Sequence, residues 1–283
     1  MRCLAALLLL FALPAAAVAA PDTQSGSAQP GDARPGTSQS AASQPGTSQT
    51  GTSQSCAAPP QFISARKSLG PLKTAIDAGG PVEILAIGSG STTGANGEQP
   101  DNAFPYRMLD ALRADVPHVK FNLTVQGGRG MSAEEMLPRV KARVRQVPTQ
   151  LVLWQTGTVE AIHALRANRM REALREGLDA IGKAGGSLVL IDPQFTRALR
   201  ANTDIEPYET ELQQVGALPD AVLFHRYDLT RIWALQGQID PERATKDARE
   251  TVLARLNACL GQALARFVLS GAGSPRPDGG RPE

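Results

Sequence analysis

Five short apolar runs constrain this chain more than any other feature: Val82 to Ile87, Phe121 to Val125, Leu151 to Gln155, Ser187 to Ile191 and Ala221 to Phe224. Each is bounded by turn residues and is rich in leucine or β-branched side chains, as strands buried on both faces of a parallel sheet are. Helical spacing of apolar residues fills the intervals, over Tyr106 to Ala114, Ala133 to Arg145 and Asn168 to Ala184, with a last helix expected from Glu242 to Leu269. Strand followed by helix, repeated, predicts an α/β fold: a flavodoxin-like three-layer sandwich around a five-stranded parallel sheet. Punctuation agrees, since Ser132 and Glu135 have capping-box spacing and Gly185-Gly186 closes a helix before the fourth run.

In such a fold ligands sit beyond the carboxyl ends of the strands, where the chain changes direction across the sheet. That gathers five loops: Gly88 to Gly94, Gln126 to Ser132, Thr156 to Glu160, Asp192 to Phe195 and His225 to Asp228. The first is a Gly/Ser/Thr turn whose backbone and hydroxyls suit close approach to a ligand. It is not a P-loop, because no lysine follows Gly94, and its glycines do not have dinucleotide-fingerprint spacing.

The termini read differently. Arg2, an apolar run from Leu4 to Leu13 and small residues ending at Ala20 predict a signal peptide over residues 1–20, hence a periplasmic or secreted protein. Residues 21–60, built from Gly, Ser, Thr, Gln, Pro and Ala, read as a disordered linker. The folded domain is expected over 61–270, with a frayed tail over 271–283. The early apolar run is too short to span a bilayer and no comparable stretch is evident downstream, so no transmembrane anchor is expected after signal removal.

Net charge is +2, and 4% of residues are aromatic, so neither a strong field nor a stacking surface for nucleic acid is expected. Three histidines far apart, with no ligand-spaced Cys/His pair, predict no metal site, and no cofactor motif is present. Loss of Cys3 with the signal leaves Cys56 and Cys259 in an oxidising compartment, where they are expected to pair. The alternative is two unpaired thiols, with Cys259 buried in a helix face.

Read together, the loops resemble the conserved blocks of the SGNH (GDSL-type) hydrolases. Ile84-Leu-Ala-Ile-Gly-Ser-Gly-Ser-Thr-Thr-Gly is similar to the first block, Gly127-Gly-Arg-Gly130 with Ser132-Ala-Glu-Glu-Met to the second, and Leu153-Trp-Gln-Thr-Gly157-Thr to the third. Asp192-Pro-Gln-Phe and Phe224-His-Arg-Tyr-Asp-Leu match a secreted subgroup, so the resemblance runs in order from Pro71 to Phe267. It implies an esterase mechanism, in which serine attacks an ester, histidine takes its proton, aspartate orients the histidine, and two amides and an asparagine hold the oxyanion.

Carried over residue by residue, that machinery is largely missing. Gly88 and Gly94 have the first-block spacing, which puts Gly90 in the nucleophile slot. The oxyanion glycine corresponds to Gly130, which is kept, and the asparagine slot holds Val159. The Asp-x-x-His block before the last helix falls on Ala248 and Thr251, and no histidine follows His225.

Two function classes stay open on the residues alone. One is a degenerate hydrolase that binds a glycan, an acyl ester or an envelope protein in a cleft of Gly88, Ser89, Ser91, Thr92, Gly130, Gly157, Thr158 and Gln194. The other is an active esterase or acyl transferase with a displaced set drawn from Ser89, Ser91, His225, Asp192 and Asp228. A plain interaction module is a third reading. Each candidate also has a structural role to fill: Asp192 before Pro193 suits a cap or turn, and Trp154 and Trp233 suit core packing.

Overall fold

The computed structural model describes residues 56–94 and 100–273. The expected signal peptide, nearly all of the expected linker and most of the tail lie outside the described residues. Five strands, β1 (Val82–Gly88), β2 (Phe121–Gly127), β3 (Leu151–Gln155), β4 (Ser187–Ile191) and β5 (Ala221–Phe224), form one parallel sheet in the order β2-β1-β3-β4-β5. This is the flavodoxin-like order, and its switch point lies between β1 and β3.

Alternation along β1 explains the two helical layers. Ile84 and Ala86 join a core built with α1 (Gly70–Asp77), α3 (Phe104–Asp115), α9 (Arg226–Leu235) and α10 (Arg249–Gly271). Leu85 and Ile87 point the other way, into a core with α4 (Ala133–Gln146), α6 (Ala167–Lys183) and α8 (Glu206–Gly216). Short helices α2 (Gly90–Thr93), α5 (Thr158–Ile162) and α7 (Arg197–Asn202) fall in the loops at the strand ends. The Ser132–Glu135 capping box at the start of α4 is formed on both sides. Trp154 and Trp233 are fully buried.

Three expectations are corrected. The last helix begins at Arg249 rather than Glu242, because the preceding residues are engaged elsewhere. Glu242 accepts from the amides of Arg197 and Ala198 at the start of α7, and Asp240 pairs with Arg197 at 2.8 Å. Residues 56–60, expected in the linker, belong to the domain. Cys56 is bonded to Cys259, Ala57 carbonyl accepts from Trp233 Nε1 at 2.8 Å, and a 3-10 turn starts at Pro60. Finally, a downstream segment does match a membrane span in length and composition. It is α10, with 61% of its apolar window buried, and its apolar residues form the domain core against α3. A methyl group on Gly261 would lie 2.6 Å from the Met108 amide nitrogen, so the two helices pack backbone to backbone.

Candidate functional site

At the switch point β1 and β2 end in glycines and β3 ends in a glutamine. Gly127 takes φ +119°, and a Cβ on it would stand 1.9 Å from the Gly88 carbonyl oxygen. That carbonyl also accepts from the Gly128 amide at 3.1 Å. The two loops therefore meet through bare backbone, which side chains would hold apart.

Gln155, at the end of β3, fixes the first loop. Its Oε1 accepts from the Ser89 amide at 3.0 Å, the Ser89 hydroxyl at 3.0 Å and the Thr92 hydroxyl at 3.1 Å. Glu160, 2% exposed, ties the third loop to the second. It accepts from the Thr156 hydroxyl, the Gly157 amide and the Ala133 amide at the start of α4, at 2.8, 2.9 and 2.6 Å. Neither side chain is among the sequence candidates: Gln155 is legible only as a polar residue closing an apolar strand, and Glu160 only as the last residue of the third loop.

Above this framework lies a cleft of about 660 Å³. Ser89, Gly90, Ser91, Gly130, Thr158, Val159 and Gln194 all line it, so the slots of the first three blocks converge. Gly88, Thr92 and Gly157, expected in the lining, stand behind it instead. Gly88 and Thr92 are buried against Gln155, and Gly157 packs near Pro193 and Leu212. Ala248 and Thr251 are exposed at the start of α10 and do not line the cleft.

The displaced candidates divide between two cavities. His225 and Asp228 line a second cavity, of about 580 Å³, with Arg66, Gln213 and Phe267. Asp192 is buried and is not among the described lining residues of either cavity. Its Oδ1 accepts from the Tyr227 amide at 2.8 Å, and its Oδ2 lies 3.8 Å from His225 Nδ1. Burial holds the Asp192 carboxyl well above its usual range, against the lowering effects of the Tyr227 amide and the Arg226 charge. Burial also lowers the His225 pKa, with Asp228 acting in the opposite sense. Among the described residues no hydrogen bond joins Ser89 or Ser91 to a histidine.

The cleft also holds residues outside the sequence candidates, among them His163 and Arg226. His163, the residue after α5, is exposed and lines the cleft. Arg226, the first residue of α9, is 1% exposed and also lines it. Its Nη1 donates to Ser91 Oγ at 3.2 Å and its Nε to the Asp192 carbonyl at 3.1 Å, with the guanidinium over the Phe104 ring. Nothing in the run His225-Arg-Tyr-Asp marks that arginine as buried.

Fold and block order together define an SGNH-type hydrolase domain. The chain belongs to the Non-GDSL lipase-like family, whose profile matches residues 55–274. Among solved structures it is similar to TesA, with TM-score 0.50 and 16% identity over 64% of this chain and 97% of that one. It is also similar to CEX, a two-domain esterase active on acetylated mannans. For CEX co-crystallised with mannopentaose the TM-score is 0.56, with 14% identity over 73% of this chain and 57% of the other. No curated protein matches the sequence.

Proposed function

We propose that this protein is an exported, catalytically degenerate member of its family that binds a glycan in the cleft without turning it over. The observation that carries the reading is Gly90: the nucleophile slot lines the cleft and has no side chain. Its neighbours do not replace it. Ser89 is held by Gln155, and Ser91 accepts from Arg226, a cation that cannot serve as a general base. Loss of a triad member removes several orders of magnitude of rate, so the inherited chemistry is expected to be absent.

The glycan class is supported by the lining, where Thr158, Gln194, Thr196, Asn202 and Thr203 supply hydroxyls and amides suited to sugar hydroxyls. Activity of the similarly folded CEX on acetylated mannans points the same way. A second reading, an esterase with a displaced nucleophile, is favoured by one observation, the presence of His163 in the same cleft as both serines.

Release of p-nitrophenol from p-nitrophenyl acetate separates the two. Background turnover by the protein and by its Ser89→Ala, Ser91→Ala and His163→Ala variants is the expected result. Turnover that one of those substitutions abolishes would replace the binding reading with the esterase one.

A further inference from the structure

Arg226 is a buried cation whose hydrogen-bond partners are all neutral. They are the Ser91 hydroxyl and the Asp192 carbonyl, with the Phe104 ring under its guanidinium. No described carboxylate forms an ion pair with it. Asp192 affects it through space, but its carboxyl oxygens are turned to the Tyr227 amide and toward His225. A buried charge without a counter-ion is strongly unfavourable, and burial lowers this guanidinium to about 10.

The described lining of the cleft offers no compensating acid. Its ionisable members are Arg226, Arg129 and His163. Gly90 lines the same cavity, so no side chain from the nucleophile slot stands over the approach to Arg226. A site with a cationic floor, no acid among its described lining residues, and serine and threonine hydroxyls set beside the apolar Val159, Ile162 and Leu199 suits an anion carried on a ligand with polar and apolar faces, as a sugar ring has.

We propose that the cleft takes an acidic sugar, whose carboxylate sits on the Arg226 guanidinium beside the Ser91 hydroxyl. A carboxylate fits better than a phosphate dianion, because Arg226 supplies a single charge to balance it. This assignment rests on the glycan-binding reading and adds the charge of the ligand to it.

Calorimetric titration of the protein at low salt tests it with four probes: trigalacturonate, the methyl ester of trigalacturonate, mannopentaose and inorganic phosphate. Trigalacturonate is expected to bind about 10- to 100-fold more tightly than its methyl ester, the range of one charged hydrogen-bonded contact. Arg226→Gln is expected to erase that preference. If Arg226→Gln does not fold, the acid-against-ester comparison on the unmodified protein decides alone. Equal binding of acid and ester overturns the carboxylate assignment and leaves glycan binding standing. Tighter binding of inorganic phosphate than of trigalacturonate overturns it in favour of a phosphate ligand. Absence of binding by all three sugars overturns the glycan reading as well.

Discussion

The Tyr227 amide donates to Asp192 Oδ1 over 2.8 Å, so a carboxyl at the end of β4 caps the helix that follows β5. The cap lies in a buried place, and burial raises the Asp192 pKa well above the ordinary carboxylate value. The folded state therefore holds this proton where the unfolded chain has released it. Stability from Asp192 is fully present below its unfolded pKa, about 3.9, and is lost as pH rises through the folded value. Asp192→Asn keeps an acceptor for the Tyr227 amide and removes the titration. Thermal unfolding of the two proteins from about pH 4 to pH 7 is expected to show the parent losing stability relative to the variant as pH rises. Parallel curves would show that Asp192 has an ordinary pKa. His225 acts in the opposite sense, its depressed pKa favouring the fold above about 6.5, and because it lies 3.8 Å from Asp192 the comparison is made in a His225→Gln background.

Restoring the family nucleophile alone should restore nothing. Gly90→Ser places a hydroxyl in the first-block slot, but no described histidine is hydrogen-bonded to that loop, and Ala248 and Thr251 supply neither base nor orienting acid. Turnover of p-nitrophenyl acetate by the variant is expected to stay within about tenfold of the parent. A rise of several hundredfold would mean that a base, with His163 the first suspect, is already in reach.

How much of this was legible in the sequence differs by element. The strands were, with every start matched and every end within two residues, because a buried parallel strand is an apolar run closed by turn residues. The last helix was read seven residues too early because Asp240 and Glu242 act on Arg197, more than forty residues away, and such partners leave no local trace. The convergence of Gly90, Gly130 and Val159 was legible through block order, since each block follows a strand that ends at the switch point. Arg226 was not, because burial of a charge depends on Ser91 and Phe104, both more than a hundred positions away in the chain.

The loop contact at the switch point gives a paired test of packing against backbone strain. Gly127→Ala meets both, with a Cβ 1.9 Å from the Gly88 oxygen at φ +119°. A loss of about 3–5 kcal/mol or failure to fold is expected. Gly130→Ala, at φ +77° with nothing within 4 Å, meets strain alone and is expected to lose about 1–2 kcal/mol. Chemical denaturation of both variants measures the difference. Equal losses would mean that the two loops separate to admit the methyl group.

The disulfide between Cys56 and Cys259 closes a loop across 203 positions and fastens the start of the domain to the middle of α10. Without it the 56–58 segment keeps one hydrogen bond from Trp233 to the Ala57 carbonyl, and Cys56 and Ala58 keep their contacts with the core. By loop-closure entropy the double variant Cys56→Ala/Cys259→Ala is expected to lose about 2–5 kcal/mol. For a domain of this size that corresponds to a drop in Tm of roughly 5–15 °C. Scanning calorimetry of the parent with and without reductant, beside the double variant, separates entropy from packing. If the bridge acts on the unfolded chain, the reduced parent and the double variant fall together. If only the double variant falls, the buried Cys259 side chain matters for the core it fills rather than for the bond it makes.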